Sequence, residues 1–252
     1  MNLILLSDAD FISPTRVRLS GRRFKHIQEI LKAQEGQHLT VGKINGLMGQ
    51  GTVVSEETEQ NLSFPRKRES TYIELEVKLD QKPPQALHLT LILALPRPPM
   101  LKRILFSAAM LGIKKIIILN FNRVEKSLWN SSVLKIAAME EQLILGLEQA
   151  KDTVMPEVLL KKRFKPFVQD ELPGLIKGKT ALVAHPEKVV TGTTFSIKSR
   201  ACHDFLLVIG PEGGILDFEI SLLKEAGCQT LDLGPRILRT DSVLPLVVGR
   251  LF

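Results

Sequence analysis

Two short segments near the C-terminus carry residue types and spacings that could do chemistry. They are Leu207-Val208-Ile209-Gly210-Pro211-Glu212-Gly213-Gly214 and Leu233-Gly234-Pro235-Arg236-Ile237-Leu238-Arg239-Thr240. A third, Val183-Ala184-His185-Pro186, has the same form, an apolar run that ends in a turn. In open α/β sheets, ligands collect in the crevice beyond the carboxyl ends of the strands. Glycines there let backbone N–H and C=O groups approach a flat ligand such as adenine with no Cβ in the way. One such turn alone needs glycine only for its positive φ. Three on neighbouring strands point to a pocket of backbone hydrogen-bonding groups. Arg236 and Arg239 stand beside it, suited to bind phosphate or to stabilise negative charge developing on a nucleobase. Their structural alternative is an ion pair with Asp241, Glu212 or Asp217.

Other chemistries are excluded by what is missing. No strand leads into G-x-G-x-x-G, which disfavours a dinucleotide site, and neither G-x-S-x-G nor H-E-x-x-H occurs. The segment from Gly174 to Thr180 imitates a phosphate loop, but it has three residues between its glycines and precedes a strand. His185, beside Pro186, is as much a turn residue as a base. His26 and His203 have no metal-ligand spacing, and Cys202 and Cys228 form no C-x-x-C pair, so neither a metal site nor a disulfide is expected.

The formal charge of +7 favours a polyanionic partner, nucleic acid first. A single Trp and a single Tyr argue against stacked aromatic platforms for single strands. Arg16, Arg18, Arg22, Arg23 and Lys25 are candidate phosphate contacts, as are Lys161, Lys162, Arg163 and Lys165. Either group is equally an ordinary wet surface. The N-terminus lacks a basic region ahead of its short apolar run, and no apolar stretch reaches membrane-spanning length. A soluble, cytoplasmic protein is expected.

The elements that must position these residues change in character near Pro83-Pro84. Before that point the apolar runs are short and broken by glycine. Residues 41–54 read as a β-hairpin or meander, and residues 72–79 alternate apolar with charged as a half-solvated strand should. Phe24, Ile27, Ile30 and Leu31 share one face of a predicted helix over residues 24–33. Residues 56–70 read as a polar surface loop, with a flexible insertion or a basic RNA-touching loop as alternatives. After Pro84, nearly continuous apolar runs at residues 88–95, 116–119, 180–184 and 205–209 alternate with helices. The helices are predicted at residues 98–111, 133–150, 216–226 and 241–252, with Thr240 as a suitable N-cap. A further strand is predicted at residues 230–233. This is an α/β pattern with a mainly parallel sheet, behind a small β-rich domain. The division falls at residues 1–84 and 85–252.

The Ile209 to Gly214 and Leu233 to Thr240 segments, at this interval, resemble the RsmE family of 16S rRNA uridine-N3 methyltransferases. The resemblance extends along the chain through His26-Ile27-Gln28-Glu29-Ile30-Leu31, Glu35-Gly36-Gln37, Leu111-Gly112-Ile113-Lys114-Lys115-Ile116 and Glu148-Gln149-Ala150. It implies a PUA-like RNA-binding β-barrel, then a SPOUT methyltransferase domain whose chain end threads a trefoil knot. It further implies a homodimer that binds S-adenosyl-L-methionine (SAM) and acts on the small ribosomal subunit. By position, the cofactor site would comprise Ala184, His185, Ile209, Gly210, Pro211, Glu212, Gly213, Leu233, Gly234, Arg236, Ile237 and Leu238. Arg239 would take the catalytic or uridine-orienting role, and no metal is needed.

The chain departs from the family pattern at several places. Asp241-Ser242-Val243 replaces the usual Glu-Thr-Ala, Met110 stands where an acidic residue is common, and Lys151-Asp152 replaces a small residue and an arginine. The loop around residues 64–70 is longer than usual. Pro245 falls early in the last helix, where it removes a hydrogen bond and is expected to kink the chain. Two other functions fit the same sequence: a SPOUT enzyme for tRNA or another rRNA site, and a non-catalytic RNA-binding assembly factor.

Overall fold

The computed structural model describes residues 2–58, 71–186 and 204–252. The basic end of the predicted 56–70 loop, with His203 and Cys202, lies outside the described residues. The chain divides into two compact units, residues 1–84 with 147–155, and residues 85–146 with 156–252.

The first unit is a six-stranded sheet. Its elements are β1 (Ile4–Leu6), β2 (Phe11–Ser13), β3 (Arg16–Ser20), α1 (Gly21–Lys25), β4 (His38–Lys43), β5 (Met48–Thr58) and β6 (Thr71–Gln81). The strand order is β1-β4-β5-β6-β3-β2. Among the described residues of this unit, only β1 and β4 run parallel. Alternation makes the core: Val17 and Leu19 on β3, Val41 on β4, and Ile73, Leu75 and Val77 on β6 face inward with Phe24 and Ile27. The hairpin expected around residues 41–54 is β4 and β5.

The predicted helix over residues 24–33 differs in one respect. α1 gives way to a π-helical turn, His26–Leu31, that ends at Lys32 with φ of 49°. The wider turn breaks the 3.6-residue period on which the shared face depended. Phe24 and Ile27 are buried, whereas Ile30 is 67 % exposed.

The second unit is a six-stranded sheet, parallel throughout. Its elements are β7 (Leu87–Ala94), α2 (Pro98–Met110), β8 (Ile113–Leu119), α3 (Ile136–Ala150, its last turn counted with the first unit), β9 (Glu157–Lys161), α4 (Phe164–Pro166) and α5 (Leu172–Ile176). β10 (Thr180–Ala184), β11 (Phe205–Ile209), α6 (Asp217–Glu225), β12 (Gln229–Leu231) and α7 (Thr240–Leu251) complete it. The strand order is β12-β10-β11-β7-β8-β9. From β7 the chain moves outward through β8 to β9, and from β11 it moves outward over β10 to β12. The order therefore reverses between β7 and β11, and the crevice at such a switch point is where α/β sheets take ligands.

Burial on both faces explains the apolar runs: all of β11 and residues 89–94 of β7 are buried. α7 stays helical through Pro245 and buries Val243, Leu244, Val247, Val248 and Leu251. Its N-cap is Arg239, with backbone in the extended region, and Thr240 is the first helical residue instead of the expected cap.

Candidate active site

Register brings the sequence-predicted residues to one edge. Ala184 pairs with Ile209 across β10 and β11 and with Leu231 across β10 and β12, while Ile209 pairs with Leu93 of β7. Because every strand is parallel, these are all carboxyl ends, and the loops that leave them emerge together. The His185 N–H donates to the Leu231 carbonyl at 3.2 Å and continues the pairing one residue past β10. The three turns singled out from the sequence are thus neighbours.

The glycines have more local reasons than a ligand. A Cβ at Gly210 would stand 2.3 Å from Cγ1 of Ile215, so Gly210 is required by the loop's own packing. Gly214 has φ of +80° and closes a turn by donating its N–H to the Pro211 carbonyl at 2.8 Å. Gly234 has φ of +100°, its N–H donates to Asp232 Oδ1 at 3.0 Å, and a Cβ there would meet nothing within 4 Å among the described residues. Gly210 is thus the crowded one of the three, while on the Gly234 loop Ile237 is 99 % exposed.

Side chains fasten these loops from behind. Arg97, in the loop after β7, lies 3.6 Å from both Glu212 and Glu125. Glu212, a predicted cofactor residue, therefore turns its carboxylate toward Arg97. The Arg123 guanidinium, in the loop after β8, donates to the Gly213 carbonyl. Glu219 of α6 is fully buried and accepts from two backbone N–H groups, those of Asn122 at 2.8 Å and Leu216 at 3.0 Å. Sequence reasoning missed Arg97, Arg123 and Glu219. Apart from the Leu216 N–H, three residues before Glu219, their partners are far away in sequence and are brought near by the parallel sheet.

At the far side, Arg239 Nε lies 3.5 Å from Asp241 Oδ1, and Arg103 of α2 lies 3.5 Å from Asp241 Oδ2. The structural alternative foreseen for the arginines, a pair with Asp241, is thus realised for Arg239. The pair leaves the Arg239 side chain 65 % exposed, and Asp241 also lines a groove of about 340 Å³ with Lys102, Arg103, Phe106, Ser107 and Gln142. Arg236 is exposed on the same loop.

The basic residues of the first unit are mostly engaged. Arg18 pairs with Glu74 at 2.8 Å and lies over the Tyr72 ring at 4.2 Å, with Arg16 3.8 Å from the same carboxylate. Arg22 pairs with the buried Glu148 at 2.8 Å, and Arg23 pairs with Asp10 at 2.6 Å. Lys25 is exposed. In the second unit Lys161 pairs with Glu171 at 2.6 Å, and Lys162 stands 5.8 Å over Trp129.

Among the described residues there is no group of three or more His, Cys, Asp and Glu that could hold a metal ion. No described helix is long and apolar enough to cross a membrane. Burial pushes the Cys228 thiol up to about 11, so it is protonated at neutral pH.

The chain is similar to known proteins over almost its full length. It is 29 % identical over 248 residues to ribosomal RNA small subunit methyltransferase E of Treponema pallidum, covering 96 % of this chain and 87 % of that protein. It is 24 % identical to ribosomal RNA small subunit methyltransferase E 1 of Borreliella burgdorferi, covering 96 % and 93 %. Its fold matches the crystal structure of ribosomal RNA small subunit methyltransferase E from Neisseria gonorrhoeae, bound to S-adenosyl methionine. There the TM-score is 0.68 at 18 % identity, over 99 % of this chain and 96 % of that one. Residues 83–251 match the RNA methyltransferase domain family, and with two thirds of its length inside that match this chain belongs to the family.

Proposed function

We propose that this protein transfers a methyl group from SAM to N3 of a uridine in 16S rRNA of the small ribosomal subunit. The observation that carries the reading is the alignment of Ala184, Ile209 and Leu231 at one sheet edge, with Arg239 on the loop just beyond. The residues fit the cofactor. Backbone groups of Ala184, His185, residues 209–213, Leu233, Gly234 and residues 236–238 would hold it, and the open space beside Gly234 suits a flat ring laid against backbone. When bound, SAM supplies an electrophilic methyl carbon on a sulfonium.

The chain's own contribution is positioning and charge. The uridine imide must give up its N3 proton, to a side chain, a water or hydroxide, before N3 becomes nucleophilic. The Arg239 guanidinium would stabilise the anion spread over N3 and its flanking carbonyls. Fixed loops at the sheet edge would align the attacking nitrogen. Residues 1–84 serve in this reading as a PUA-like RNA-binding barrel, and residues 85–252 as a SPOUT domain with a trefoil knot. Support comes from the resemblance of both regions to the RsmE family and from the all-parallel sheet of the second. A cytoplasmic homodimer, its site completed across the interface, belongs to the same proposal.

The decisive experiment incubates the protein and SAM with small subunits lacking this methylation, followed by nucleoside mass spectrometry. The expected product is 3-methyluridine. A different methylated nucleoside, or product only on tRNA, overturns the substrate. No SAM binding by calorimetry overturns the enzyme and favours an RNA-binding assembly factor.

A further inference from the structure

Glu219 occupies the third position of α6, is 0 % exposed, and has both oxygens in use. Oε2 accepts from the Leu216 N–H at 3.0 Å and closes the helix's own first turn. Oε1 accepts at 2.8 Å from the N–H of Asn122, 97 residues away in the chain. A helix cap needs only the first bond, and a cap at the surface avoids the desolvation that burying a carboxylate costs. The second bond has another effect: it ties the loop after β8 to the loop after β11. Arg123, next in sequence to Asn122, repeats the tie by donating to the Gly213 carbonyl. Its Cδ lies 3.4 Å from where a Cβ on Gly213 would stand, so side chain and loop are in contact.

These two ties act on residues 210–216, the loop read above as part of the cofactor site. Without them the loop would keep the Arg97–Glu212 pair, its internal turn at Pro211 and Gly214 and the packing of Gly210 on Ile215. A loop that must be ordered by its ligand binds more weakly, because the ordering cost is subtracted from the affinity.

We propose that Glu219 and Arg123 are positioning residues for the cofactor, holding residues 210–216 in the conformation that receives SAM. The inference rests on the SAM reading of that loop. Both residues act through the loop, so their effect falls on cofactor affinity and not on the chemical step.

The test is calorimetry of SAM binding to the full chain, with steady-state kinetics on small subunits, for wild type, Arg123→Ala, Arg123→Lys and Glu219→Gln. Arg123 is exposed, so its alanine variant should keep a thermal midpoint within about 2 °C of wild type. Its dissociation constant and KM for SAM should rise about 10-fold, as for a loop ordered one tenth of the time. Its kcat at saturating SAM should hold. Arg123→Lys, which retains one donor for the Gly213 carbonyl, should recover part of the affinity. Glu219→Gln keeps the shape but can no longer accept from both N–H groups, and should weaken SAM at least as much. If Glu219→Gln does not fold, the Arg123 pair still decides. Wild type that binds SAM, with unchanged affinity in Arg123→Ala, overturns the positioning role alone. Wild type that binds no SAM overturns the cofactor reading and the inference with it.

Discussion

Arg23 and Asp10 form a two-pronged ion pair: NH1 donates to Oδ2 at 2.7 Å and NH2 to Oδ1 at 2.6 Å. NH1 also donates to the Leu5 carbonyl at 2.8 Å, and Asp10 is only 8 % exposed. An arginine so committed holds the first unit together before it can greet a phosphate. Arg23→Ala leaves a buried carboxylate unpaired and should cost about 3 kcal/mol of stability, measured by urea unfolding. RNA affinity of the folded fraction should change less than for Lys25→Ala, which has an exposed ammonium to lose. The reverse order in a filter-binding assay would restore Arg23 as an RNA contact.

The same pair sets an acid limit. Burial pushes the Asp10 carboxyl up, but the hydrogen bonds from Arg23 and Ser7 outweigh it, and the net direction is below the ordinary 3.8. A carboxyl lowered in the folded state contributes stability above its unfolded value and loses it as pH falls through the lowered one. Unfolding of wild type between pH 4 and pH 2 should therefore be steeper than that of Asp10→Asn. Equal slopes would show that Asp10 does not carry the acid sensitivity.

Glu148 should behave in the opposite sense. Burial raises its carboxyl above the ordinary 4.5, despite Arg22 at 2.8 Å and a backbone hydrogen bond from Leu5. A raised carboxyl makes the folded state the better proton binder, so stability declines as pH rises from 4.5 through the raised value. Glu148→Gln should flatten that decline in urea midpoints taken from pH 4 to 8. An unaltered decline in the variant would assign it to another group.

Arg239→Ala should lower kcat by about 100-fold or more, the usual effect of deleting one stabiliser of developing charge, with SAM affinity near wild type. Asp241→Asn, which weakens the hold on Arg239 and Arg103 without removing either, should lower kcat by less. Arg239→Ala with full turnover in the small-subunit assay would remove Arg239 from the mechanism.

Gly210→Ala places a Cβ 2.3 Å from the Ile215 side chain and should cost about 2 kcal/mol by overpacking. Because the strain falls on the loop after β11, SAM binding should weaken as well. A Gly210→Ala, Ile215→Ala double variant, which removes both the Cγ1 and Cδ1 carbons that crowd the new Cβ, should regain part of the loss in SAM binding by calorimetry. Failure of the second change to help would locate the strain elsewhere.

Periodicity made most of the second unit legible. Strands buried on both faces can tolerate little but Val, Ile, Leu and Ala, and β7, β10 and β11 spell this out. β9 was not visible, because as an edge strand it is only half buried and has charged residues at both ends. The site's glycines announced a special backbone, but for Gly210 the reason is Ile215 and not a ligand. Charge was the least legible feature. Arg18 and Glu74 are 56 residues apart and Arg22 and Glu148 are 126 apart, so a stretch that reads as a free basic surface is largely neutralised by the fold. The resemblance to a family supplied what periodicity lacked, the identity of the cofactor and the substrate class.

Residues 147–155 belong with the first 84 in one compact unit. The Glu148 carbonyl accepts from the N–H groups of Asn2 and Leu3, the Thr153 carbonyl accepts from the Asn45 N–H, and the Met155 N–H donates to Asn45 Oδ1. On a ribosome, the first unit thus waits for a stretch made much later. Its opening strand and the β4–β5 turn acquire these partners only after residue 155 has emerged, when β7 and β8 are already outside. The N-terminal unit is first to be translated but not first to be finished.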